Sequence, residues 1–201
     1  QTHDPFKRLM AKDQAAIATE VIRYFKPALY FMLNWLRHFR PVTLLLRRVQ
    51  ARLATPGLST YLIVRKRAIH DLVEDIIAKE KDVQIVALAA GFDTLTYRMA
   101  LKYPHLHFFE TDHPATQEIK VKMLESLGFS APNNHILPCD YTQTPVETVL
   151  QSHPAFDRQK KTIFLAEGLM MYLPHNLFMQ LLENMKSLIQ AKSYMIFTYL
   201  Q

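Results

Sequence analysis

Four short clusters of residues in this chain could do chemistry, and each follows an apolar run. In Ala89-Ala90-Gly91-Phe92-Asp93-Thr94 a glycine stands where a backbone can turn sharply and come close to a ligand. Glu110-Thr111-Asp112-His113-Pro114 puts an acid about twenty residues further on, the spacing at which a carboxylate can take both hydroxyls of a ribose through its two acceptor oxygens. Pro138-Cys139-Asp140-Tyr141 offers Asp140 to the amino group of an adenine and Tyr141 as a ring for the base to lie against. Glu167-Gly168-Leu169-Met170-Met171-Tyr172-Leu173-Pro174 places Glu167 at the end of a buried-looking run, where a charge is expensive without a partner. A cationic amino group on a ligand would be such a partner, and so would a lysine or arginine of the protein. Tyr172 could lie over a reaction centre.

Plainer roles stay open beside these. Asp93 and Asp112 could each cap a helix, and Cys139 reads as a small buried residue with no base beside it. Among nucleoside ligands, NAD asks for G-x-G-x-x-G to cradle a pyrophosphate. This loop has one glycine, and Asp93 would repel a diphosphate. S-adenosylmethionine needs no diphosphate site and gives Glu167 a role.

The elements that must position these clusters read as alternating β and α. Val83–Leu88, Leu106–Glu110, His135–Leu137, Thr162–Ala166 and Tyr194–Thr198 are the expected strands. Helices are expected from about Thr94 to Lys102, Pro114 to Leu127 and His175 to Ile189, with Pro114 suited to a first turn. A long helix capped by Ser59 or Thr60 should reach about Lys79, its apolar positions Ile69, Leu72, Val73, Ile76 and Ile77 recurring at helical spacing. Upstream, 11–25, 28–39 and 42–53 read as helices and 55–57 as a turn. The pattern predicts a doubly wound, mostly parallel α/β sheet of the Rossmann-like type behind a helical extension. Residues 1–58 would form that helical lid or cap and residues 59–201 the α/β core. In such sheets ligands bind beyond the C-terminal ends of the strands, where the four clusters lie.

The composition is that of a globular protein: 49 % of the 201 residues are apolar and 21 % charged, which argues against a wholly disordered chain. The net charge of +6 permits an anionic partner and is met equally by simple solubility. One cysteine excludes an internal disulfide and a cysteine zinc site, and a reducing, cytoplasmic setting is expected. Nine histidines form no ligand motif, so no metal is expected. The N-terminus has no signal-peptide character and no initiator Met. The apolar stretch from Ala28 to Leu46 is broken by Arg37, His38, Arg40 and Pro41, so no transmembrane segment is expected. A nucleic-acid partner is not expected, and the oligomeric state is open. Arg37, Arg40, Arg47, Arg48 and Arg52 could instead make a basic helical surface. A non-catalytic binding protein with a degenerate nucleoside site is then the alternative function.

The motifs resemble those of the leucine carboxyl methyltransferase family, which includes the tetracenomycin-type polyketide O-methyltransferases. Val86 to Thr94, with Tyr97-Arg98, is similar to its "LGAGxDT…R" loop. Phe109 to Pro114, with Lys120, is similar to "EvDxP…K", and Ala166 to Pro174 to "EGvlmYL". Arg65-Lys66-Arg67-Ala68-Ile69-His70-Asp71 resembles the "R-x-R-x-x-D" helix before the first strand. The resemblance implies S-adenosylmethionine as cofactor and an O-methyltransferase reaction on a carboxylate of a small molecule or peptide end. It implies that Arg65 holds the methionine carboxylate, with the Ala89–Gly91 loop beneath that moiety. Asp112 would take the ribose and Asp140 with Tyr141 the adenine. Glu167 would help hold the amino group and sulfonium region, and Tyr172 would face the substrate. Ala89 stands where the family has its first glycine, and Leu95 where bacterial members often have arginine. Members continue past the fifth strand into a helix and a hairpin, so the C-terminal part of the fold is expected to be missing here.

Overall fold

A computed structural model describes residues 58–189 and 192–198, together with Thr19, Arg23, Tyr24, Lys26 and Pro27. Of the upstream helices expected at 11–25, 28–39 and 42–53, only Thr19, Arg23 and Tyr24 are described, and all three are helical. The rest of those segments, the 55–57 turn and the basic residues 37–52 lie outside the described residues. The chain divides into two compact units, 1–71 and 72–201.

The boundary falls inside helix α1 (Leu58–Lys79). Ser59 and Thr60 lie within this helix rather than capping it. In the first unit Arg67 Nε donates to Asp71 one turn on, at 3.0 Å, and Ile69 is buried. In the second unit Val73, Ile76 and Ile77 continue the apolar stripe, while Leu72, at its edge, is exposed.

The second unit is a five-stranded parallel sheet in the order β3-β2-β1-β4-β5. Its strands are β1 (Val83–Leu88), β2 (His107–Asp112), β3 (Asn134–Pro138), β4 (Lys161–Ala166) and β5 (Tyr194–Phe197). The intervening helices are α2 (Leu95–Lys102), α3 (Pro114–Ser126), α4 (Val146–Gln151) and α5 (His175–Leu188). Helix α4 has no counterpart in the sequence reading. The order turns back between β1 and β4, and a crevice opens at such a point.

All six residues of β1 are buried because both faces of the sheet are covered. Val86, Leu88, Phe109, Phe164 and Ala166 meet Val146 and Leu150 of α4 and Leu181, Met185 and Leu188 of α5. The opposite face of β2 presents Glu110 to Thr96 of α2 and Lys120 of α3. Strand β2 runs two residues beyond the expected end, since Thr111 and Asp112 still pair with Leu137 and Pro138.

Side chains terminate the elements. Helix α2 stops before Pro104, and Asn133 Nδ2 lies 2.8–3.2 Å from the Ala100, Tyr103 and Leu106 carbonyls. Arg158 donates to the Ser187 and Leu188 carbonyls at the end of α5, groups the helix leaves without partners. At the start of β1 the buried Gln84 amide is bonded to Asp157 O, Asp157 N–H and Thr162 Oγ1 at 2.7–3.1 Å. No helix among the described residues is long and apolar enough to cross a membrane.

Candidate functional site

The loop after β1 is built from left-handed backbone. Ala89 has φ +49 and Gly91 φ +52. For an L residue with a Cβ that region costs about 1–2 kcal/mol, so something must hold Ala89 there. The holder is Tyr141. Ala89 N–H donates to the Tyr141 hydroxyl at 2.9 Å, and that oxygen lies 2.6 Å from Thr111 Oγ1 and 3.2 Å from the Thr111 carbonyl. Burial raises the Tyr141 pKa above the ordinary phenol value, so the hydroxyl keeps its proton. The next two amides are also taken. Ala90 N–H donates to Thr111 O at 3.2 Å, and Gly91 N–H to Asp112 Oδ2 at 2.7 Å. A Cβ built on Gly91 would meet nothing within 4 Å, so the space in front of it is open.

Asp112 does not cap α3. Its Oδ1 accepts from His113 N–H at 2.7 Å, and the cap is His113, whose Nδ1 accepts from Ala115 N–H at 3.3 Å. Asp93 does not cap α2 either; the N-cap position is Thr94, whose N–H donates to Asp93 Oδ1 at 2.7 Å. Asp140, at the end of β3, accepts from Thr142 Oγ1 at 2.7 Å and Thr142 N–H at 3.0 Å, and its other oxygen is 3.8 Å from His113 Nε2. The Thr142 bonds and the nearby His113 hold its pKa below the ordinary carboxylate value. Glu167 and Gly168 follow β4. Gly168 has φ +70 and its N–H donates to Thr198 Oγ1 at 2.8 Å. Tyr172 is 79 % exposed.

Gly91, Asp112, Asp140 and Glu167 therefore share the C-terminal edge of one sheet, with Gly91 and Asp112 in direct contact and Ala89 and Tyr141 bonded behind them. Beside Tyr141 a cavity of about 300 Å³ opens between the β3–α4 loop and α5. Thr142, Gln143, Thr144, Gln180 and Asn184 line it with Pro145, Val146, Leu173, Leu177 and Leu181, and no charged side chain among the described residues enters its wall. Arg65 belongs to the first unit, where its guanidinium stands 5.5 Å from the centre of the Tyr61 ring. No group of three or more His, Cys, Asp or Glu among the described residues is arranged to hold a metal ion.

The sequence reading passed over Thr111, the residue that anchors Tyr141. A hydroxyl between Glu110 and Asp112, directly after the apolar pair Phe108-Phe109, is the signal that could have found it. Thr198, which fixes Gly168 from just past the end of β5, carries no comparable local signal.

Known proteins resemble this chain in sequence and in fold. The candidate methyltransferase of known structure from Thermobifida fusca YX superposes with a TM-score of 0.57 at 15 % identity, covering 78 % of this chain and 59 % of that one, a likeness of fold. Bacillus subtilis strain 168 has a relative, YktD, named as a candidate S-adenosyl-L-methionine-dependent methyltransferase. It is 32 % identical over 120 residues, 58 % of this chain and 38 % of YktD. A protein of the same description from Mycobacterium ulcerans strain Agy99 is 39 % identical over 92 residues, 45 % of this chain and 29 % of the relative. The matched stretches thus span well under half the length of these curated relatives. The family model described as leucine carboxyl methyltransferase matches residues 3–186, and the chain belongs to the leucine carboxyl methyltransferase family.

Proposed function

We propose that this chain carries the S-adenosylmethionine site of an O-methyltransferase whose acceptor is a carboxylate on a small molecule or peptide end. The observation that carries the reading is the contact between Gly91 and Asp112. It presents an open backbone surface and a fixed carboxylate side by side at the ends of β1 and β2. Each Asp112 oxygen receives one backbone N–H and keeps a second lone pair for a ribose hydroxyl. Asp140 lies next to the uncharged cavity beside Tyr141, whose apolar walls and neutral amides suit adenine, an uncharged ring. Glu167 remains assigned to the amino group and Tyr172 to the substrate side. Residues 1–58 are assigned as the cap, and Arg65, to the methionine carboxylate, enters through the family resemblance alone.

When bound, the cofactor supplies an electrophilic methyl group on a sulfonium centre. The protein's task is then to align the acceptor in line with that methyl and keep water out. A carboxylate acceptor, with a pKa of about 4, is already ionised at neutral pH and asks for no general base.

Two measurements test this. Titration calorimetry with S-adenosylhomocysteine should show binding, and none by an intact, folded full-length protein would refute the cofactor reading. Product analysis with methyl-labelled cofactor should give an alkali-labile ester that releases volatile methanol. An alkali-stable product, formed at a rate climbing through neutral pH as expected of a phenol with a pKa of about 10, would exclude a carboxylate acceptor.

A further inference from the structure

Behind the Gly91–Asp112 contact lies a fully buried ion pair that this reading of the site has not used. Glu110 and Lys120 have side chains 0 % and 1 % exposed and are bonded to each other. Glu110 Oε1 also accepts from Thr96 Oγ1 of α2 and, at 2.9 Å, from Asn134 Nδ2 of β3. Lys120 Nζ makes a further bond, at 2.6 Å, to the Asp93 carbonyl. Asp93 lies two residues past Gly91 on the β1–α2 loop, and Glu110 lies two residues before Asp112 on β2. The loop is therefore tied to β2 at the front, by Ala90 to Thr111 and Gly91 to Asp112, and behind, by Asp93 through Lys120 to Glu110.

A buried ion pair is weak evidence of stabilisation, because well-packed apolar residues of similar volume usually serve as well. It therefore calls for a specific task, and the bond to Asp93 supplies one. We propose that Lys120, held by Glu110, is a positioning residue for the cofactor. It touches no ligand and fixes the 91–93 backbone against Asp112, so that loop and carboxylate form one preorganised surface. Preorganisation raises affinity by removing an ordering cost from the binding step. This inference rests on the cofactor reading above for its consequence, though not for its geometry.

The test is the neutral pair Glu110→Gln with Lys120→Met. It leaves no lone buried charge and retains much of the packed volume, but deprives the Asp93 carbonyl of its donor. Hydrogen exchange at the amides of residues 91–94 should become about tenfold faster without any ligand. The affinity for S-adenosylhomocysteine should fall by about tenfold, while the melting temperature stays at or above that of the parent. Unchanged loop exchange together with unchanged affinity overturns the proposal. A second variant, Thr96→Val, removes one bond to Glu110 and leaves the Lys120–Asp93 bond in place, and it decides the matter even where the neutral pair does not fold. A lower melting temperature with the parent's affinity supports positioning; affinity falling in step with stability shows that the network merely stabilises the fold. A parent chain that binds no S-adenosylhomocysteine refutes the cofactor reading, and the exchange comparison still tests the tie.

Discussion

Replacing Tyr141 by phenylalanine removes a single oxygen and should loosen the loop after β1. That oxygen accepts from Ala89 N–H at 2.9 Å and meets Thr111 at Oγ1 and at its carbonyl. An ordinary hydrogen bond contributes about 0.5–1.5 kcal/mol net, and a buried donor left without a partner costs about 1–3 kcal/mol. Thr111 Oγ1 retains a long contact to the Ala87 carbonyl, 3.4 Å, so the larger loss falls on Ala89. Because Ala89 sits at φ +49, a conformation it adopts at a cost, the loop relaxes once the donor is released. The net destabilisation should be about 2 kcal/mol. For a chain of this size the melting temperature falls about 2–4 °C per kcal/mol, so about 4–8 °C in all. Calorimetric melting of the ligand-free protein reads this directly, and hydrogen exchange at residues 89–91 localises it. The ring remains in Y141F, so loss confined to stacking against a base would leave the ligand-free melting unchanged. Melting within about 1 °C of the parent, with unaltered exchange at Ala89, would show that the hydroxyl does not hold the loop.

Three further outcomes are expected. Asp112→Ala should weaken S-adenosylhomocysteine binding by about 1.5–3 kcal/mol, the range for hydrogen bonds to a charged group; unchanged affinity in a calorimetric titration would remove Asp112 from the site. His135 contacts His107, 3.0 Å between ring nitrogens, and lies under His153. Burial, then the neighbouring His153 and His107, lower its pKa from 6.5 to about 4. The unfolded chain thus takes up a proton at a higher pH than the folded one, and stability falls as pH drops from 6.5 towards about 4. His135→Phe should flatten that part of the melting-temperature profile, and an identical slope would assign it to other groups. Burial first, then the charges of Asp140 and Glu147, push the Cys139 thiol up to about 11. Alkylation at mildly alkaline pH should therefore proceed at the rate of unfolding, and fast labelling of the native protein would contradict this.

Legibility in the sequence followed the physics of each element. The five strands were readable because apolar runs bounded by charged or turn residues leave few alternatives, and helix α5 because its pattern spans four turns. Helix α4 was not, since its two buried positions, Val146 and Leu150, are too few to set a period. The end of β2 was placed short at Glu110 because Thr111 and Asp112 are polar; their pairing with β3 is a tertiary fact that local propensity does not express. That Gly91, Asp112, Asp140 and Glu167 lie at one edge of the sheet was legible because the ends of parallel strands point the same way whatever their order. The ties behind them, Thr111 to Tyr141 and Lys120 to Asp93, join residues 30 and 27 positions apart and exist only once β1, β2 and β3 lie side by side.

The β1 loop offers its neighbours three consecutive amides that are already committed, Ala89 to a phenol, Ala90 to a carbonyl and Gly91 to a carboxylate. A pyrophosphate is recognised by backbone donors that point outward unpaired. At this turn it would have to break those bonds while standing beside the Asp112 carboxylate, an acceptor like itself. A pyrophosphate would thus find no unpaired backbone donor among these three amides. A single change that frees the Gly91 amide and removes the adjacent charge, such as Asp112→Asn with its amide turned outward, would be the shortest step by which this fold could begin to tolerate a phosphorylated nucleotide.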